Sequence, residues 1–254
     1  MSGNPYEAPR AAVADVVVAQ GAEALRREPR RVAAGRGWNW IAAAWELLSL
    51  NPGAWVVLML VVMALGIALQ FLPIVGGIVQ QAITPFSGAA VALLADSLRR
   101  GGAGGISEVI DGVVARFGGL ALLAGIYIGA TLCLILVVGV PAVLLGMSGV
   151  LKGDLIVVLV VLLVLLVLAL LLPLIMATYF APALVALHDT PPLQALRLSF
   201  RACLVNFVPF LVFGLCLLGL AVVASLPLFL GWLVLFPVML IACYTSYRDI
   251  FFDE

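Results

Sequence analysis

The sequence predicts an all-α, polytopic membrane bundle of six transmembrane helices, with three cytoplasmic amphipathic helices in a quasi-repeat. Three observations predict it. The 254-residue chain is 65% hydrophobic and only 10% charged, whereas about a quarter of residues are charged in soluble domains. No Asp, Glu, Lys or Arg occurs from Leu47 to Ala95, from Phe117 to Leu151 or from Ala202 to Tyr247, and Leu155 to Thr190 contains Asp189 alone. The basic residues gather on alternate connections. A hydrocarbon core about 30 Å thick takes roughly 20 apolar helical residues to cross, and a charge at its centre costs roughly 2.5–3.5 kcal/mol on insertion scales. The apolar runs show no period-2 alternation, which argues against an outer-membrane barrel.

Residues 1–36 read as a polar tail rich in Ala, Arg and Pro. Asn4-Pro5-Tyr6-Glu7-Ala8-Pro9 is extended across its prolines, as a docking peptide or a disordered leader, and a short helix is expected from Ala11 to Arg27. The tail lacks an apolar stretch long enough for a signal-peptide core, so it is expected to persist. Residues 37–254 form a single six-span domain. The first amphipathic helix sets Trp38, Ile41, Trp45 and Leu48 on one face, opposite Asn39 and Glu46. Spans follow at Gly53–Leu72 and Ile74–Ala95. Gly101 to Gly105 is a flexible linker, without the Lys-Ser or Lys-Thr of a phosphate loop. The second amphipathic helix sets Ile106, Val109, Ile110, Val113, Val114 and Phe117 against Ser107, Glu108, Asp111 and Arg116, and spans follow at Gly119–Val140 and Leu155–Met176. The fourth charge-free run contains Pro173 and Pro182, so this span must tilt, kink or break. Thr190 and Pro191 are expected to cap and open the third amphipathic helix, in which Leu193, Leu196, Phe200 and Cys203 oppose Gln194, Arg197 and Arg201. The last spans are Phe207–Ser225 and Leu228–Tyr247.

Six crossings put both termini on one side. Arg10, Arg26, Arg27, Arg30, Arg31 and Arg36 precede the first span, Arg99, Arg100 and Arg116 lie between spans two and three, Arg197 and Arg201 between four and five, and Arg248 after six; Lys152 is alone on the other face. Short basic loops stay in the cytoplasm, so both termini are expected there. The chain divides into units of about 38–97, 106–190 and 191–250. Trp45 to Asn51 matches Phe200 to Asn206. With Gly119 as the second unit's counterpart of that Asn, turn prolines Pro73, Pro141 and Pro227 follow at offsets of 22, 22 and 21 residues. Distances from these prolines to Asp96, Asp189 and Asp249 are 23, 48 and 22 residues, so the middle unit carries an insertion around Ala142 to Val167.

Pumps and ion-coupled transporters keep ionisable residues inside the bundle, and none lies at mid-span here. Gln80, Gln81 and Thr84, near Pro85, are the candidates for a polar interior, either lining a site or bonding between helices. Arg99, Arg100, Arg197, Arg201 and Arg248 form a basic collar that suits helix anchoring, lipid headgroups or a membrane-protein partner. Gly76 with Gly77, and Gly125 with Gly129, have the small size that close helix packing uses. His188 has no second His, Cys or Glu at ligand spacing, so it reads as a surface turn and no metal site is expected. Cys133, Cys203, Cys216 and Cys243 show no redox spacing, and no disulfide is expected. No nucleophile, base and orienting group assemble a hydrolase. Zero net charge offers nucleic acid no bulk field.

Arg36-Gly37-Trp38-Asn39-Trp40, Phe180-Ala181-Pro182-Ala183-Leu184-Val185-Ala186-Leu187, the stretch Pro192 to Cys203 with Asn206, and the ending Tyr244 to Phe251 together resemble an uncharacterised family of proteobacterial inner-membrane proteins. The resemblance covers about Arg36 to the C-terminus. More distantly, the layout is similar to the membrane domain attached to some glycerophosphodiester phosphodiesterases, whose catalytic domain has no counterpart here. The expectation is a non-catalytic, cofactor-free membrane protein that binds lipid or a partner. The alternative is a permease for a small or lipidic solute without obvious ion coupling.

Overall fold

A computed structural model describes residues 25, 28–72, 75–148 and 154–252. The Asn-Pro-Tyr start, the helix expected from Ala11 to Arg27, Pro73 and Lys152 lie outside these residues. Among the described residues the chain is helical without strands, and six helices are long and apolar enough to cross a membrane. The described residues hold eleven α-helices, in the order α1 Arg36–Leu50, α2 Pro52–Gln70, α3 Val75–Arg99, α4 Ile106–Ala115, α5 Phe117–Leu134, α6 Val140–Met147, α7 Asp154–Thr178, α8 Ala181–His188, α9 Pro192–Val205, α10 Phe207–Ser225 and α11 Trp232–Phe251. The amphipathic segments are α1, α4 and α9, each joined to the following span by one residue: Asn51, Arg116 and Asn206. The joint of the middle unit is thus Arg116, three residues before the expected Gly119.

Pro141 does not turn the chain. It sits in the first turn of α6, and the third span runs from Phe117 to Met147 through a π-helical turn at Ile135–Gly139. Proline cannot donate a backbone hydrogen bond, and a widened turn just before it absorbs the mismatch. The insertion therefore includes helix: the third and fourth spans are 31 and 33 residues long. The last hairpin turns over Leu226–Gly231, with Leu228 and Phe229 left-handed at φ 51° and 64°, so the sixth span starts at Trp232. The cap of α9 is Pro191, and Thr190 is buried beside it.

Packing follows an ordered pattern. α4 lies on α3, α9 on α7 and α8, and α1 on α11 and α10, while α3 also meets α2, α5, α8 and α11. α1 runs antiparallel to the end of α11: Arg36 reaches Asp249, and the Trp40 carbonyl accepts from Thr245 Oγ1 at 2.8 Å. The buried faces coincide only in part with the apolar stripes, sharing Ile41, Val109 and Cys203 with them. α1 buries Gly37, Trp40, Ile41, Ala44 and Leu47 and leaves Trp38 and Trp45 half exposed. α9 buries Ala195, Ser199, Ala202 and Cys203 and exposes Leu193. α4 buries Val109 alone. Small side chains let these helix backbones approach their neighbours, which outweighs a larger apolar stripe that bilayer or interface can accept.

The core is concentrated at the basic end. Two-thirds of the best α11 window is buried (67%), against none of the corresponding window of the fourth span. Trp40, Phe210, Tyr179, Phe180 and Phe251 form a chain of ring contacts with centroids 4.8–5.7 Å apart, tilted or edge-on as ring quadrupoles prefer. His188 is half-buried, in tilted ring contact with Tyr247 and Phe252. Gly125 and Gly129 are exposed with nothing near a would-be Cβ, so they are not packing sites. Gly76 is one, since its Cβ would overlap the Leu69 carbonyl oxygen.

Candidate functional site

Asp249 organises the basic end. Its carboxylate is buried and accepts from Arg30 Nη2 at 2.6 Å, from Arg36 Nε at 2.8 Å and from Trp40 Nε1 at 2.7 Å. The fully buried Asn206 accepts from the Val32 N–H through Oδ1 at 2.9 Å and donates to the Arg30 carbonyl through Nδ2 at 2.9 Å. The segment before α1 is thereby strapped across the ends of α9 and α11. Asp96 is a second hub: it accepts from Tyr244 Oη at 2.7 Å and pairs with Arg100 at 2.8 Å and Arg99 at 3.5 Å. Asp189 pairs with Arg116 at 2.9 Å.

The expected collar is therefore not a uniform exposed rim. Arg248 is 5% exposed, with its guanidinium 4.0 Å from the Phe252 ring centroid. Arg99 and Arg100 are tied to Asp96, and the exposed Arg201 meets the exposed Glu28 at 3.1 Å. Arg197 is exposed on α9, and no ion pair is seen for it among the described residues.

The fourth span breaks at Tyr179–Phe180, between α7 and α8. Phe180 N–H donates to Ser199 Oγ at 2.9 Å, and Ser199 Oγ donates to the Met176 carbonyl at 2.7 Å. The Thr178 carbonyl accepts from Tyr127 Oη at 3.1 Å, and the Tyr179 carbonyl from Cys243 Sγ at 3.3 Å. Irregular backbone at membrane depth is tolerated only when its polar groups are satisfied. Here α9, α5 and α11 supply those partners. Ser199 is buried completely.

Beside the break lies an inner cavity of about 440 Å³, walled by α2, α3, α5, α10, α11 and the α7–α8 junction. Its lining is mainly apolar, with Gln80, Thr84, Ser87, Tyr127, Thr178, Tyr179 and Tyr244 as scattered polar groups and no Asp, Glu, Lys, Arg or His. Gln80 and Thr84 thus meet in this cavity. Gln81 does not line it: its Nε2 donates to Thr131 Oγ1 of α5 at 2.7 Å, an interhelical bond. The Thr84 hydroxyl donates to the Gln80 carbonyl at 2.9 Å, while the half-buried Gln80 amide makes no hydrogen bond among the described residues. Gly66 of α2 leaves room for that amide, whose Oε1 is 3.6 Å from a would-be Cβ. The Gln80–Thr84 turn is legible in the sequence because polar residues are rare in the spans; Tyr127, Ser199 and the hub role of Asp249 are not, because their partners are remote in the chain.

A second hollow of about 470 Å³ opens at the basic end between α1, α3 and α11, lined by Arg36, Arg99, Arg248, Glu46, Tyr244 and Asp249 among others. Among the described residues no three His, Cys, Asp or Glu side chains gather so as to hold a metal ion. The four cysteines are free.

These features define a polytopic α-helical membrane protein with an uncharged cavity inside its spans. No protein-family model, no curated protein and no solved structure matches the chain.

Proposed function

We propose that this protein is a non-catalytic membrane protein that binds lipid within its helical bundle. The observation that carries this reading is the uncharged cavity beside the broken span. About 440 Å³ falls within the roughly 300–1,000 Å³ of small-molecule sites, which are typically apolar hollows with a few orienting polar groups. A permease without ion coupling would share that cavity. However, the backbone carbonyls at Met176, Thr178 and Tyr179 already have protein partners, whereas broken transporter helices use free backbone to hold solute. Binding is therefore preferred to transport.

The proposal includes placement in a bacterial inner membrane with both termini cytoplasmic, and membership of the proteobacterial family that the chain resembles. It also includes a threefold quasi-repeat, supported by the single-residue joints Asn51, Arg116 and Asn206 and by the corresponding seats of α4 on α3, α9 on α7 and α1 on α11. Native mass spectrometry of the gently extracted protein tests lipid binding. Lipid adducts should survive on the wild type and fall several-fold in Gln80→Leu/Thr84→Val. Wild type that sheds every lipid while remaining folded would overturn the reading.

A further inference from the structure

The inner cavity has a neighbour on the membrane side. A groove of about 620 Å³ lies between α2 and α11, reaching the C-terminal end of α1, and no charged residue lines it. Phe236 lines both hollows. On α2 the two hollows meet at consecutive residues, Val62 lining the cavity and Met63 the groove. α2 and α11 do not pack together along this seam: the sustained contacts of α2 are with α3 and α1. The two helices also differ in anchorage, with 17% of the most apolar stretch of α2 buried against 67% of that of α11. Phe236, 37% exposed, stands where the two hollows adjoin.

Resting on the lipid-binding reading, we propose that the seam between α2 and α11 is a lateral portal through which a neutral lipid enters. One hydrocarbon chain lies in the groove, and an uncharged head with hydroxyl or ester oxygens reaches Gln80, Thr84 and Tyr127. The chemistry selects this class. A phosphate or carboxylate head would enter a low-dielectric site without the cationic partner that a buried charge requires, since neither hollow presents Arg, Lys or His. A small hydrophilic solute would have to cross the apolar groove from hydrocarbon. A neutral glyceride or long-chain alcohol already resides in that hydrocarbon, and the Gln80 amide, half-buried and without a hydrogen bond among the described residues, gains a partner when the head arrives. Gating needs only a rotamer change at Phe236 and a small outward lean of α2, the less buried wall.

Photo-crosslinking of the full-length protein tests the portal, in phosphatidylcholine vesicles carrying either a diazirine-tagged diacylglycerol or the same tag on phosphatidylglycerol. Diacylglycerol should label Met59 or Met63 in the groove and Tyr127 or Thr178 inside, and untagged diacylglycerol should compete with both. Phe236→Trp should cut inner labelling several-fold while groove labelling persists. Phe236→Ala should raise it, and serves as the reading if the Trp variant unfolds. Equal inner labelling by phosphatidylglycerol, or inner labelling indifferent to both substitutions, overturns the portal. If native spectra retain lipid but no inner residue is labelled, the portal falls and cavity binding stands; if neither occurs, both fall.

Discussion

At Asp249 a buried carboxylate meets Arg30, Arg36 and the indole of Trp40, so its removal leaves two guanidinium groups facing each other at a helix end. Breaking a buried pair by deleting one partner costs about 3–5 kcal/mol. The two arginines keep 25% and 38% of their side-chain exposure, which places Asp249→Asn near the lower limit. Unfolding in mild detergent should show that loss, whereas Arg201→Ala, which breaks an exposed pair with Glu28, should cost less than about 1 kcal/mol. Equal effects would remove Asp249 from the centre of the knot. Ser199→Ala removes the donor to Met176 and the acceptor for Phe180 at the break in the fourth span; leaving such groups unsatisfied costs about 1–3 kcal/mol, to be read from the same unfolding curves. Neither residue was singled out from the sequence. In the sequence Asp249 only marks the end of the third unit, and its partners lie 209–219 residues away, a separation that no local spacing reveals. Gln80 and Thr84 were visible because a polar group within an apolar span stands out against its surroundings.

Among the elements, the six spans were legible because charge is excluded from hydrocarbon, although the third and fourth run on to Met147 and His188, past the expected Val140 and Met176, because an apolar run does not mark where a helix ends inside it. The faces of the amphipathic helices were not. In α1 two stripes carry tryptophan, and apolarity alone does not say which will meet α11 and which will meet bilayer. Contact is decided by how closely two backbones approach, and Gly37 is where α1 meets α10: a Cβ there would lie 2.6 Å from both the Phe213 nitrogen and the Pro209 oxygen. Gly37→Ala should therefore push the helices apart and cost about 1–3 kcal/mol, the usual cost of overpacking. Gly125→Ala, at a position open to the surroundings, should be neutral or slightly stabilising, because alanine favours helix over glycine. Thermal unfolding of the two variants under one detergent condition decides this, and similar losses would deny α1 its close seat on α10.

In the whole molecule the contact of α1 with α11 joins the first helix to the last, as α4 on α3 and α9 on α7 join neighbours in sequence. If the three units of the proposed quasi-repeat close into a ring, the chain's starting point within that ring is arbitrary. The described ends already meet, with the Arg30 N–H donating to the Ile250 carbonyl at 3.0 Å. The Gly101–Gly105 linker between units carries no helix and is largely exposed, the kind of site where chain opening is tolerated. A circular permutant that starts at Gly102, continues from Phe252 through a short Gly/Ser linker into Glu28 and ends at Gly101 should fold. It keeps every helix, every one-residue joint and the Asp249 knot, and its new ends remain at the basic end. Reopening the ring in the Leu226–Gly231 turn instead would place termini at the opposite end of the spans and alter the insertion order, and that form should fail to accumulate. Gel filtration and unfolding midpoints compare the two. A permutant opened at Gly102 that aggregates as readily as the other would mean that the α1–α11 contact does not replace the chain connection as α4 on α3 and α9 on α7 imply, and the ring would reduce to a linear bundle with a strap.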